Sequence, residues 1–211
     1  MKLYVFPPSP NSLRCQAVAN QLDIELELIP IDFGNPAQTE AGFKELYAAN
    51  PNHKIPTLVD GDYVLWESGA IMLYLSRIQP DNDLVPDNLQ DRARMAQWSY
   101  WSASHWGVTC TLFIFENVVK KIMNIGEPDP AQLAKGEEEF NRFGTVLNDH
   151  LTGRDTLVGN SVTLADHTVA SWLIHAEMAG LPLDGFTEVK RWSGGILGSA
   201  AWQKALATIP G

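Results

Sequence analysis

The chain has 211 residues, of which 45% are hydrophobic and 19% charged, the balance of a globular chain with one large or two small domains. Its net charge of −10, with no basic run longer than Lys120-Lys121, argues against a nucleic-acid or anionic-membrane partner. Two cysteines, Cys15 and Cys110, far apart in sequence, exclude a disulfide scaffold. No apolar run approaches membrane-spanning length, and the opening "MKLYVF" meets Pro7-Pro8 too soon for a signal-peptide core, so the expected location is cytoplasmic.

Residues 2–6 ("KLYVF") predict a strand, and Leu13, Ala17, Val18 and Leu22 predict a helix. Residues 25–33 alternate as a strand does, and Pro30, which cannot donate to a ladder, predicts an edge position. A helix follows over 39–49. "TLVDGDYVLW" then reads as a hairpin turning at Asp60-Gly61-Asp62, and Ile71, Leu75 and Ile78 mark a helix from about 67 to 78. The order β-α-β-α-β-β-α predicts an α/β domain with a parallel first crossover and an antiparallel closing hairpin.

Residues 79–88 ("QPDNDLVPDN") are a polar, proline-bearing linker, and no strand pattern follows it. One or two long helices are expected over 89–123, with Trp98, Trp101 and Trp106, and another over 131–151, with Leu133, Phe140, Phe143, Leu147 and Leu151 on one side. Thr163 and Asp166, three apart, form an acidic capping box heading a helix to about 179. The staple position opposite Val162 holds His167, which makes this cap a candidate for pH sensitivity. The end of the chain, "RWSGGILGSAAWQKALATI", predicts one more short helical segment. The expected division is therefore an α/β domain over 1–78, the linker, and an all-helical domain over 89–211.

Two segments, "NPNHKIPTLVDGDYVLWESGAI" and "GNSVTLADHTVAS", resemble the cytosolic glutathione transferases, and the resemblance covers nearly the whole chain. It implies a thioredoxin-like domain followed by a helical bundle, usually as a homodimer, with glutathione as co-substrate, no metal, and a role in detoxification. It further implies a cis bond before Pro56, with the backbone of Ile55 free to pair with the peptide of glutathione. Glu67 and Ser68 stand where a helix begins, and helix N-termini hold carboxylates. The resemblance places the γ-glutamyl carboxylate on Ser68, its ammonium near Glu67, and the glycine carboxylate near His53 and Lys54.

The nucleophile is the thiol of glutathione, protonated at neutral pH because an unperturbed thiol has a pKa near ~8.5. A donor at a helix N-terminus stabilises the thiolate. "FPPSPNSLRC" offers Ser9, Asn11 and Ser12 in that order of preference; counting back from Arg14, Ser9 matches the serine-type classes. "Ser-Pro-Asn" is also similar to the Thr-Pro-Asn of bacterial members that act as disulfide-bond reductases. Tyr4, the tyrosine-type alternative, lies within the strand and reads as core or sheet surface. Cys15 falls one turn inside the helix, where a buried small hydrophobe is the commoner role.

In the helical domain, Trp101, Ser104, His105 and Trp106 lie on the helix that in this family borders the electrophile site, and aromatic side chains suit flat apolar substrates. Packing in the core or at a dimer contact is an equally good account of the tryptophans. Histidines 53, 105, 150, 167 and 175 have no ligand spacing that would indicate a metal site. The expected activity is conjugation of glutathione to small hydrophobic electrophiles. Reduction of peroxides or mixed disulfides is the enzymatic alternative, and a non-catalytic glutathione-binding or assembly module is the alternative of another class.

Overall fold

A computed structural model describes residues 1–32 and 40–210. The expectations for Phe33 as strand and Thr39 as helix fall outside those residues. The chain divides into two compact units, Met1–Val85 with Gly198–Gly211, and Pro86–Leu197.

In the first unit the order is β1 (Lys2–Val5), α1 (Pro10–Gln21), β2 (Glu27–Pro30), α2 (Glu40–Ala49), β3 (Thr57–Asp60), β4 (Tyr63–Trp66) and α3 (Ser68–Ile78). The sheet order is β2-β1-β3-β4. β1 and β2 are parallel, with Leu3 opposite Leu28 and Val5 opposite Pro30, whereas β3 runs antiparallel to both β1 and β4. Pro30 closes an edge strand, where its missing donor costs no ladder bond. Asp60 pairs with Tyr63 around a two-residue turn in which Gly61 supplies the positive φ of 59°. The pleat sends Tyr4 to one face, where it joins Ile31 and Leu46 with Ile29, Phe43 and Val59 around them. Leu3, Val5 and Leu58 alternate with these and are also buried. This four-stranded mixed sheet with its helices is the thioredoxin-like arrangement expected.

The C-terminal helix α11 (Ala200–Leu206) packs on α1 and belongs to this unit. Asn20 Nδ2 donates to the Ala201 carbonyl at 3.0 Å, and Trp202 is fully buried. This differs from an all-helical domain running unbroken over 89–211. The physical reason lies in "GILGSAAWQKAL": it forms two helices rather than one, interrupted at Gly198-Ser199, and the second carries its own apolar face.

The second unit holds one helical run from Leu89 to Met123, made of α4 (Leu89–Trp101), α5 (Gly107–Ile114) and α6 (Lys120–Met123) joined by two five-residue π-helical turns, Ser102–Trp106 and Phe115–Val119. Then follow α7 (Pro130–Leu151), α8 (Leu164–Ala170), α9 (Ala176–Ala179) and α10 (Thr187–Leu197). Asn88 caps α4 through Asp91 N–H, and Asp129 caps α7 ahead of Pro130 at its first position. Trp106, Phe140 and Trp192 fill the core. Gly107 is needed there: a Cβ would stand 2.5 Å from the Trp172 ring.

Candidate active site

Two helices of the first unit begin at one cavity of about 190 Å³, lined by Asn11 of α1, Ser68 at the start of α3 and Glu67 just before it. Lys54, Ile55 and Pro56 form its opposite side, with Asn50, Asn52 and Trp66. The Ile55–Pro56 bond is cis, and the ladder to β1 starts only at Thr57. Asn50, itself buried, ties the loop into one shape. Its Nδ2 donates to the Lys54 carbonyl and to Thr57 Oγ1, both at 2.9 Å, while its Oδ1 accepts from Asn52 N–H at 2.9 Å.

Glu67 holds the left-handed φ of 69° just before α3 and leaves its carboxylate exposed at the rim. A non-glycine residue in that region is strained, a feature that clusters at functional sites. Behind Ser68 stands Arg14, whose Nε and Nη2 donate to Ser68 Oγ at 3.0 and 2.5 Å. Burial lowers the Arg14 pKa to about 10, which leaves the guanidinium charged at neutral pH. Ser68 Oγ donates in turn to Asn11 Oδ1 at 3.5 Å. Two helix N-termini and a buried cation thus converge on a small cavity, an arrangement that favours anions.

The candidates after β1 separate clearly. Asn11 lines the cavity, and Ser9 is the N-cap of the same helix with no side-chain capping bond, so its hydroxyl is not spent on the helix. Ser12 is 0% exposed, and its hydroxyl oxygen accepts from Phe6 N–H at 3.2 Å inside the domain. His53 does not line the cavity; its ring stacks on Tyr47 at 4.1 Å between centroids.

The chain matches the family models "Glutathione S-transferase, N-terminal domain" over residues 1–77 and "Glutathione S-transferase, C-terminal domain" over 104–199. It is 32% identical to glutathione S-transferase 3 of Zea mays over 217 aligned residues, covering 100% of this chain and 95% of the maize protein. This chain belongs to the glutathione S-transferase family. Among solved structures, glutathione S-transferase III in apo form aligns with a TM-score of 0.84 at 33% identity, over 99% of this chain and 96% of that one. Maize glutathione S-transferase I in complex with an atrazine glutathione conjugate aligns with a TM-score of 0.85 at 28% identity, over 98% of this chain and 96% of that one.

Other residues of this glutathione S-transferase are set aside by their surroundings. The Tyr4 hydroxyl donates to Glu45 at 2.6 Å, and burial with that bond pushes its pKa up to about 12, away from a thiolate-stabilising role. Burial likewise pushes the Cys15 thiol up to about 12 and the Cys110 thiol well above its ordinary value, so both stay protonated. In the second unit Trp106 is fully buried, donates to the Val169 carbonyl at 3.3 Å and packs on Phe140. It is part of the core of this unit, the packing role that the sequence offered beside the electrophile-site one. Trp101 is half-buried and stacks on Trp106 at 5.9 Å, while Ser104 and His105 are exposed on the first π-helical turn. Among the described residues no three His, Cys, Asp or Glu side chains come together as a metal site, and no helix is long and apolar enough to cross a membrane.

Arg14 and Asn50, which hold Ser68 and the 54–57 loop in place around the cavity, are residues that the sequence did not bring forward as part of the site. Arg14 lies in the wholly buried stretch Ser12–Ala19, and the one sequence signal for it was an arginine among the apolar positions of that helix. The Asn-Pro-Asn run at 50–52 carried a turn signal, without indicating that Asn50 would point inward.

Proposed function

We propose that this chain conjugates glutathione to small apolar electrophiles, binding the tripeptide in the first-unit cleft and ionising its thiol there. The observation that carries this reading is the convergence of the α1 and α3 N-termini, backed by Arg14, on the cavity between Ile55–Pro56 and Glu67. The γ-glutamyl carboxylate takes the Ser68 N–H and the Ser68 hydroxyl proton, which turns from Asn11 toward it. The ammonium group meets the exposed Glu67 carboxylate, Ile55 pairs with the peptide backbone, and Lys54 meets the glycine carboxylate. This sets the thiol toward the start of α1, where Ser9 supplies a hydroxyl donor and Asn11 an amide. The thiolate sulfur then bonds to carbon of the electrophile, and either a leaving group departs with its electron pair or a proton is taken up after addition. The atrazine glutathione conjugate held by the maize relative supports an apolar electrophile. Two copies act as a homodimer in the cytoplasm, as the family resemblance implies.

Asn11 in the cavity wall favours a second reading, reduction of glutathione mixed disulfides, in which the amide contacts sulfur.

Calorimetric titration with reduced glutathione near neutral pH, in buffers of different ionisation enthalpy, tests the proposal. Binding with release of a substantial fraction of a proton is the expected result. Binding without proton release would leave a module that holds glutathione without activating it, and no binding would remove the cleft as the site.

A further inference from the structure

The wall of the glutathione cavity holds one aromatic side chain among the described residues, Trp66 at the end of the edge strand β4. Tyr4, Thr57 and Trp66 form one cross-strand row, so all three side chains leave the sheet on the same face. Tyr4 is buried there in the core with Ile31 and Leu46, a cluster that does not include Trp66. Trp66 is instead 40% exposed, and its ring makes no hydrogen bond or ring contact among the described residues. Its neighbour in the row, Thr57, donates to the Lys54 carbonyl at 2.9 Å, which sets Trp66 beside the 54–57 loop.

Successive strand residues point to opposite faces. The φ of 69° at Glu67 ends that alternation, and Trp66 and Glu67 both line the one cavity. A carboxylate and an indole ring are thereby set next to each other, a pairing suited to an organic ammonium. The carboxylate supplies an ion pair, and the electron-rich ring face supplies a cation–π contact, for which tryptophan is the best ring. Ser68, backed by the Arg14 guanidinium, attracts a carboxylate and repels a cation. An amino acid bound there by its carboxylate therefore turns its ammonium toward Glu67 and Trp66.

We propose that Trp66 is a specificity-determining residue of this cleft, its indole face and the Glu67 carboxylate together holding the γ-glutamyl ammonium. The cleft then selects thiols with a free amino group on that arm over deaminated or N-acylated ones. This rests on the reading of the cavity as the glutathione site.

The test is calorimetric titration of the intact protein with S-hexylglutathione and with its deaminated counterpart, in which hydrogen replaces the amino group. Wild type should bind S-hexylglutathione more tightly. Trp66→Leu should weaken S-hexylglutathione binding about three- to tenfold, the range of a cation–π contact, and change the deaminated ligand less than about twofold. Trp66→Phe keeps a ring with a weaker face and should fall between the two, so it tests the contact even if Trp66→Leu fails to fold. Unchanged S-hexylglutathione affinity in a folded variant, or an equal loss for both ligands, would overturn the proposal. Equal binding of the two ligands by wild type would do the same and leave the cleft reading intact. Binding of neither would overturn the cleft reading and this proposal with it.

Discussion

The Ser68 oxygen has two lone pairs and one proton, and its neighbours use all three. Arg14 donates to it twice, so the proton is directed at Asn11 Oδ1, which leaves the Asn11 amide nitrogen as a donor for the cavity that this side chain lines. Ser9 differs in that nothing in the helix cap occupies its hydroxyl. The two residues therefore give separable expectations. A hydrogen bond to a charged group contributes about 1.5–3 kcal/mol, and one pKa unit corresponds to about 1.4 kcal/mol. Ser9→Ala should accordingly raise the pKa of the bound glutathione thiol by about 1–2 units and lower kcat/KM for conjugation by about 10- to 100-fold. Thiolate absorbance in the ultraviolet, followed against pH, reads the first quantity directly. Asn11→Ala should change that pKa less and abolish any disulfide-reductase activity. Full reductase activity in Asn11→Ala would remove the second reading, and an unmoved thiol pKa in Ser9→Ala would pass the donor role to Asn11.

At the scale of the element, the N-terminus of α8 concentrates the second unit's buried polar groups. Asp166 Oδ2 accepts from Thr163 N–H at 2.8 Å and from its hydroxyl at 3.0 Å, while Oδ1 accepts from Leu157 N–H at 2.8 Å and Trp192 Nε1 at 3.0 Å. Burial raises the Asp166 pKa, with these four donors acting against it. Beside it, burial lowers the pKa of His167 to about 4. In the unfolded chain the imidazole returns to about 6.5. Between those values the unfolded state binds the extra proton, so the stability contribution of neutral His167 is complete above pH 6.5 and is lost as pH falls toward about 4. The loss amounts to about 3 kcal/mol over that window. Asp166 acts in the opposite sense, because its raised pKa favours the folded state as pH falls through it; a comparison within one background cancels that contribution. Denaturant unfolding from pH 7 to pH 4 should show wild type losing stability relative to His167→Leu. Parallel profiles would show that His167 does not make this cap pH-sensitive. The Thr163–Asp166 spacing and the polar residue at the staple position were both legible in the sequence, since capping is local. That Asp166 also holds Leu157 and Trp192 was not, because those partners come from segments 9 and 26 residues away.

Across the whole molecule, legibility follows the same division between local and distant causes. The hairpin at Asp60-Gly61-Asp62, the edge strand ending at Pro30 and the succession of α/β and helical regions each rest on spacing within about ten residues, and each appears where expected. The cleft could be assembled only through family resemblance, because Asn11, Pro56 and Ser68 are brought together by the sheet rather than by neighbourhood in sequence. The last helix is legible as a helix, but its packing partner is not, for the same reason. Its apolar face predicts burial but not against what, and it packs on α1 rather than on the helices that precede it in the chain. Trp202, fully buried in α11, makes this assignment testable. Truncating a buried tryptophan to alanine costs about 3–5 kcal/mol through lost burial and the cavity left behind. Trp202→Ala should therefore destabilise the first unit, and hydrogen exchange should show protection lost chiefly in β1 and α1, with glutathione affinity falling alongside. If the amides of α7 and α10 lost protection instead while those of β1 and α1 kept it, α11 would belong energetically to the second unit, and the simple split after the linker would stand.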